Sequence, residues 1–89
     1  MSYCVIWLPV AEQELAALWL AADNRAQVSR AANTMDDVLA RDGPNAGESR
    51  PDGRRIIFEL PLAAIDRVNL ESQAVLVLNV WQVTSRPIE

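Results

Sequence analysis

From Ser2 to Leu8 the chain reads SYCVIWL, a run of β-branched and aromatic residues that stops at Pro9. Such a run predicts a first strand. Alternation places Tyr3, Val5 and Trp7 on one face and Cys4, Ile6 and Leu8 on the other. Both faces are apolar, so a strand covered on both sides is expected. Beyond Pro9 the period changes. Ala11, Leu15, Leu18, Trp19 and Ala22 recur at helical spacing between Val10 and Ala22. Pro9 suits the first position of that helix, and Glu12 and Glu14 suit the positive end of its dipole. Asp23 is placed to cap a second helix from Asn24 to about Arg41. Its apolar stripe is Val28, Ala31, Ala32, Met35, Val38 and Leu39. The tight turn between the two predicts an antiparallel helical hairpin.

The second half of the chain reads as strands. Asp42 to Gly53, DGPNAGESRPDG, holds all three glycines and two of the five prolines, which marks a loop. Arg54 to Leu60 follows as a strand, with Ile56, Phe58 and Leu60 facing one way and Arg55 and Glu59 the other. Pro61 interrupts it. Leu62 to Asn69 makes the next strand, turning at Leu70 to Gln73. Ala74 to Val83 is apolar at nearly every position, as an internal strand would be. The order β-α-α-β-β-β predicts an α+β fold: a helical hairpin packed on a mainly antiparallel four-stranded sheet. At 89 residues, a single domain spanning 1–89 is expected.

Composition narrows the chemistry. The chain has no histidine, and Cys4 is its one cysteine. Neither an internal disulfide nor a cysteine metal cluster can form, and the commonest general base and metal ligand is missing. No metal and no cofactor are expected, and Cys4 reads as a small buried side chain. The start carries no basic segment, and no apolar stretch is long enough to span a bilayer. A cytoplasmic protein with no membrane partner is therefore expected.

Eight basic residues, all arginine, stand against twelve acids, for a net charge of −4. Nucleic-acid binders present a basic surface, which this chain as a whole does not. Residues 41–67 carry Arg41, Arg50, Arg54, Arg55 and Arg67 against Asp42, Glu48, Asp52, Glu59 and Asp66, and are neutral. Only a local arginine cluster can meet an anion. Arg54, at the mouth of the loop, is the first candidate for a phosphate clamp, and Arg67 on the following hairpin a helper. The plain alternative is solvated arginines paired with Asp52 or Glu59, and Arg67 paired with Glu71 or Asp66. Arg50 and Arg55 are candidate target contacts, and Arg86 joins them if the tail folds back. Trp81 is a candidate stacking platform beside basic residues. The competing reading packs it and Trp7 against the helices, with Trp19 in the core stripe.

The stretches YCVIW, AEQELAALW, AANTMDDVLARDGP, GESR, GRRIIFELPL and VLVLNVW, in this order and spacing, cover nearly the whole chain. Together they resemble the RelE/ParE toxin superfamily of bacterial type II toxin–antitoxin modules. That resemblance implies a toxin neutralised by a small antitoxin that wraps it. It implies action either as a ribosome-dependent messenger-RNA endoribonuclease or as an inhibitor of DNA gyrase. A homodimer or a toxin–antitoxin hetero-oligomer would be its assembled form. In the nucleases of this superfamily, Arg or Lys side chains meet the phosphate on a concave, basic sheet face, with His, Tyr or Glu as acid and base. Here Ala63 and Ala64 stand where an arginine is usual. Asp66 stands near the place of an aromatic residue, and WQVTSRPIE ends without His or Tyr. Glu48 is the nearest acid–base substitute. The implied catalytic set is thus Arg54, Arg67 and Glu48, an incomplete ribonuclease site. The alternative is a non-toxic protein-interaction module of the same fold that has lost the site.

Overall fold

The computed structural model describes residues 2–83, so Arg86 lies outside the described residues. Its elements are β1 (Cys4–Trp7), α1 (Pro9–Ala21), α2 (Arg25–Asp42), β2 (Glu48–Ser49), β3 (Arg54–Glu59), β4 (Leu62–Asn69) and β5 (Ala74–Gln82). Two short 3-10 turns, Gly43–Asn45 and Pro51–Gly53, flank β2. One sheet runs in the order β1-β5-β4-β3-β2. The pair β1–β5 is parallel and the other three pairs are antiparallel. The sheet therefore has five strands where the sequence pattern predicts four. The extra strand is two residues long and made of Glu48 and Ser49, too short and too polar to show a period of two.

Helix α1 begins at Pro9, whose missing N–H costs nothing in a first turn. Asn24, not Asp23, caps α2: its side-chain oxygen accepts from the Gln27 N–H at 3.1 Å. The two helices are locked at their turn by Arg25. Its guanidinium donates to the Trp19 and Leu20 carbonyls, both at 3.1 Å, and lies 4.7 Å from the Trp19 ring centre. Those carbonyls belong to the end of α1, where helical partners run out.

The core lies between the helices and one face of the sheet. Helix α2 contributes Val28, Ala31, Met35 and Leu39, and the sheet contributes Ile57, Leu62, Ala64, Val75, Val77 and Val80. Helix α1 buries only Ala11 completely, while Val10, Trp19 and Leu20 stay exposed. Trp19 is thus not a core residue: its Nε1–H donates to Ser29 Oγ at 3.1 Å on the surface. Glu14 does more than complement the helix dipole. Strand β1 stops pairing at Trp7↔Val77, which leaves β5 open beyond that point. The Glu14 carboxylate accepts from the Val80 N–H at 3.0 Å and from Asn79 Nδ2, stitching α1 to that exposed edge.

Candidate functional site

The hairpin covers one side of the sheet, and no element among the described residues lies over the other, the open side. Strand alternation and register define what that open side presents. Arg54, Ile56 and Phe58 of β3 pair with Arg67, Ile65 and Ala63 of β4. Ala63 and Arg67 pair in turn with Trp81 and Leu76 of β5, and Leu76 pairs with Ile6 of β1. Cys4 and Ile6 are exposed on this side, so β1 is covered on one face and not two, and Cys4 is not buried. A simple rule of apolar residues inward would turn Ile56 and Phe58 toward the helices. The structure does the reverse. Ile57 supplies the core contact of β3, and Phe58 remains 49% exposed.

The arginines gather at one corner of the open side. Arg54 and Arg67 stand directly opposite each other across β3 and β4. The Arg50 N–H donates to the Arg54 carbonyl at 2.7 Å, which extends the row to a third arginine. Glu48 pairs with Ile56 and therefore shares this side. Its carboxylate is held by Arg50 at 3.1 Å. Arg67 donates to the Asp52 carbonyl at 3.1 Å, with neither Glu71 nor Asp66 as its ion-pair partner. The Arg54 guanidinium makes no hydrogen bond among the described residues. Four residues picked from the sequence, Glu48, Arg50, Arg54 and Arg67, thus converge. Trp81, 36% exposed, sits on the same side at the far end of the sheet. Its surface position sets aside the reading in which it packs against the helices.

Arg55 does not join them. It alternates to the helix side, where Nε donates to the Ala46 carbonyl at 2.7 Å and Nη2 to the Gly47 carbonyl at 2.9 Å. Its role there is to tie the loop before β2 onto β3. Gly47 completes that tie: its φ is +70° and a Cβ would strike the Ile56 carbonyl. The glycine of GESR is therefore required by backbone contact.

Asp66 also faces the helices, directly across from Arg55, so it cannot repel an anion on the open side. It is 0% exposed, and neither carboxylate oxygen has a hydrogen-bond partner among the described residues. Burial pushes its carboxyl up to about 6, with the Arg55 charge opposing that shift. Among the described residues, no group of three or more His, Cys, Asp or Glu could hold a metal ion. No helix among them is long and apolar enough to cross a membrane.

On the other side of the molecule, an apolar groove of about 550 Å³ runs between α1 and α2. Trp7, Leu15, Trp19 and Val28 line it, with Glu12 and Asp36 on its rim. Trp7 is fixed there by donating Nε1–H to Asp36 Oδ1 at 3.1 Å. The sequence pattern did not reveal this groove, because it depends on how far apart the two helices sit.

A helical hairpin backing one face of a five-stranded, mostly antiparallel sheet is the fold of solved toxins of the RelE and ParE type. The toxin–antitoxin complex RelBE from Mycobacterium tuberculosis superposes with a TM-score of 0.76 at 18% identity, over 92% of each chain. The chromosomal ParDE toxin–antitoxin system of P. aeruginosa gives 0.70 at 18% identity, over 93% of this chain and 98% of that one. A mutant of the E. coli toxin RelE in the free state gives 0.69 at 17% identity, over 92% of this chain and 84% of that one. No family model and no curated protein sequence matches the chain.

Proposed function

We propose that the chain is the toxin of a type II toxin–antitoxin pair and that the open sheet face is the surface it turns to its target. The observation that carries this reading is the convergence of Arg50, Arg54 and Arg67 on the uncovered side of a RelE/ParE fold. A small antitoxin neutralises the protein by lying over that face and over the helical hairpin. The groove between α1 and α2 receives its apolar side chains, and the acids on the rim select basic ones beside them.

The target is engaged by binding, in the manner of a gyrase inhibitor or a blocker of the translation machinery, more readily than by cutting messenger RNA. General acid–base catalysis at a 2′-hydroxyl needs a free, suitably placed proton acceptor. Ala63 fills the centre of the open face, and Glu48 is already held by Arg50. Tyr3 alternates to the helix side, where it packs against the core.

Expressing the protein alone in a bacterial host is expected to arrest growth, and co-expressing a neighbouring small gene to relieve it. Normal growth at soluble, folded levels would overturn the proposal. That outcome would favour a non-toxic interaction module of the same fold, a reading that Ala63 at the centre of the face also supports. Ribosome-dependent cleavage of a reporter message, lost in Arg54→Ala, would establish the ribonuclease mechanism instead.

A further inference from the structure

We propose that the open sheet face recognises a polypeptide segment through two linked subsites: a carboxylate clasped by Arg54 and Arg67, and a large apolar side chain seated against the Phe58 and Trp81 rings. This rests on the open face being the target surface, but it does not depend on the chain being toxic.

Among the described residues, the arginine subsite has no ion-pair partner. Like charges directly opposite in an antiparallel pair destabilise it. Yet Arg54 faces Arg67, and among the described residues no carboxylate lies within ion-pair distance of either. A bound carboxylate would neutralise both, and two guanidinium groups suit its two oxygens. Phosphate is the rival anion. A nucleic-acid strand would need positive groups along its whole track. Here the row beyond the arginines is Ile56 and Ile65, both half-buried and apolar, and the chain carries a net charge of −4.

The apolar subsite lies further along the same strands. Phe58, Ala63 and Trp81 form one cross-strand row. Ala63 is 0% exposed, while the rings on either side of it stay 49% and 36% exposed. Ala63 has no exposed surface of its own, so the contact is offered by the Phe58 and Trp81 rings on either side of it, roughly 9.5 Å apart at the backbone from two strand spacings. An exposed apolar row of this kind marks an interaction surface.

Position fixes how the two subsites are linked. Arg54 and Phe58 are four residues apart on one strand, which is roughly 13 Å. An extended partner segment with an acid four residues from a large apolar side chain spans them. A second copy of this chain is a poor occupant. Among the described strand positions of this face the one acid it offers is Glu48, and that carboxylate is held by Arg50. The partner is therefore a different polypeptide, acidic and apolar at that spacing.

The probe is a displayed library of random twelve-residue peptides, selected on the purified wild-type protein. Individual synthetic winners are then measured against Arg54→Ala, Phe58→Ala and Trp81→Ala, with Leu20→Ala on α1 as a distant surface control. The expected result is enrichment of an acid four residues from a large apolar residue. Affinity should fall about tenfold or more in Arg54→Ala and by a similar factor in Phe58→Ala or Trp81→Ala. Leu20→Ala should leave it unchanged. Circular dichroism of each variant guards against unfolding, and Phe58→Ala replaces Trp81→Ala if the latter does not fold. No enrichment, or winners indifferent to Arg54→Ala, would overturn the proposal. So would a twenty-nucleotide single-stranded RNA that binds more tightly than the peptides and loses that binding in Arg54→Ala. Growth arrest is scored separately. A harmless chain that still selects such peptides would sink the toxin reading alone, and a toxic chain that selects none would sink this one.

Discussion

The two faces of this sheet use their residues in opposite ways. The helix-covered face is mostly aliphatic, with Ile57, Leu62, Ala64, Val75, Val77 and Val80 packed against Met35 and Leu39. It also holds the half-buried Arg55 and the fully buried Asp66, two charged groups that a rule of apolar residues inward would not send there. The open face keeps Ile6, Phe58 and Trp81 in contact with solvent, beside an arginine pair with no ion-pair partner among the described residues. On the covered face, charge is tolerated because Arg55 finds two loop carbonyls. On the open face, apolar exposure persists because no element among the described residues covers it. The first face sets stability; the second is the surface proposed to bind.

The sharpest test of that division is a cavity. Leu39→Ala, at a position with 0% exposure, is expected to cost about 2–5 kcal/mol of folding stability, measured by chemical denaturation. A cost below about 1 kcal/mol would mean that α2 does not anchor the covered face.

The next effect comes from Asp66. Its ordinary value is 3.8 and its folded value about 6, so the folded chain binds the extra proton between these values. Stability should therefore fall as pH rises from about 4 to about 6, by roughly 3 kcal/mol, and stay low above that range. Asp66→Asn is expected to flatten this dependence. A stability profile that rises over the same window in the wild type would show that Arg55 swings over to pair with the ionised carboxylate.

The smallest effect belongs to the open face. Arg54→Ala should change stability by no more than about 0.5 kcal/mol, and in the stabilising direction, because it removes a like-charge pair. A substantial loss of stability would show that Arg54 has a structural partner and is not held ready for a ligand.

Much of the fold was legible because period and punctuation are local. The switch from a period of two to helical spacing at Pro9, the glycine and proline loop at 42–53 and the apolar run from Ala74 delimit the elements closely. Strand β2 escaped because two polar residues carry no period. Trp19 and Cys4 were misplaced for a shared reason. Their spacing fits an apolar stripe, but exposure depends on what lies over each position, and no element among the described residues covers these two side chains. The candidate site was partly legible. Arg54, Arg67, Arg50 and Glu48 stand out as charge at the mouth of a loop, and the register brings them together. Arg55, adjacent in sequence and identical in chemistry, goes to the other side by alternation alone.

What the sequence by itself determined is the order of elements and the presence of an arginine cluster in GESRPDGRR, since both rest on local spacing and turn chemistry. Only the tertiary structure decided which side of the sheet the helices cover. Each strand offers two plausible faces, and the choice is made jointly by what α2 can bury and by the loop that Gly47 and Arg55 pin against β3. That choice buries Asp66 and leaves Phe58, Trp81 and the Arg54–Arg67 pair in the open. The reason is that burial belongs to packed layers and not to single strands.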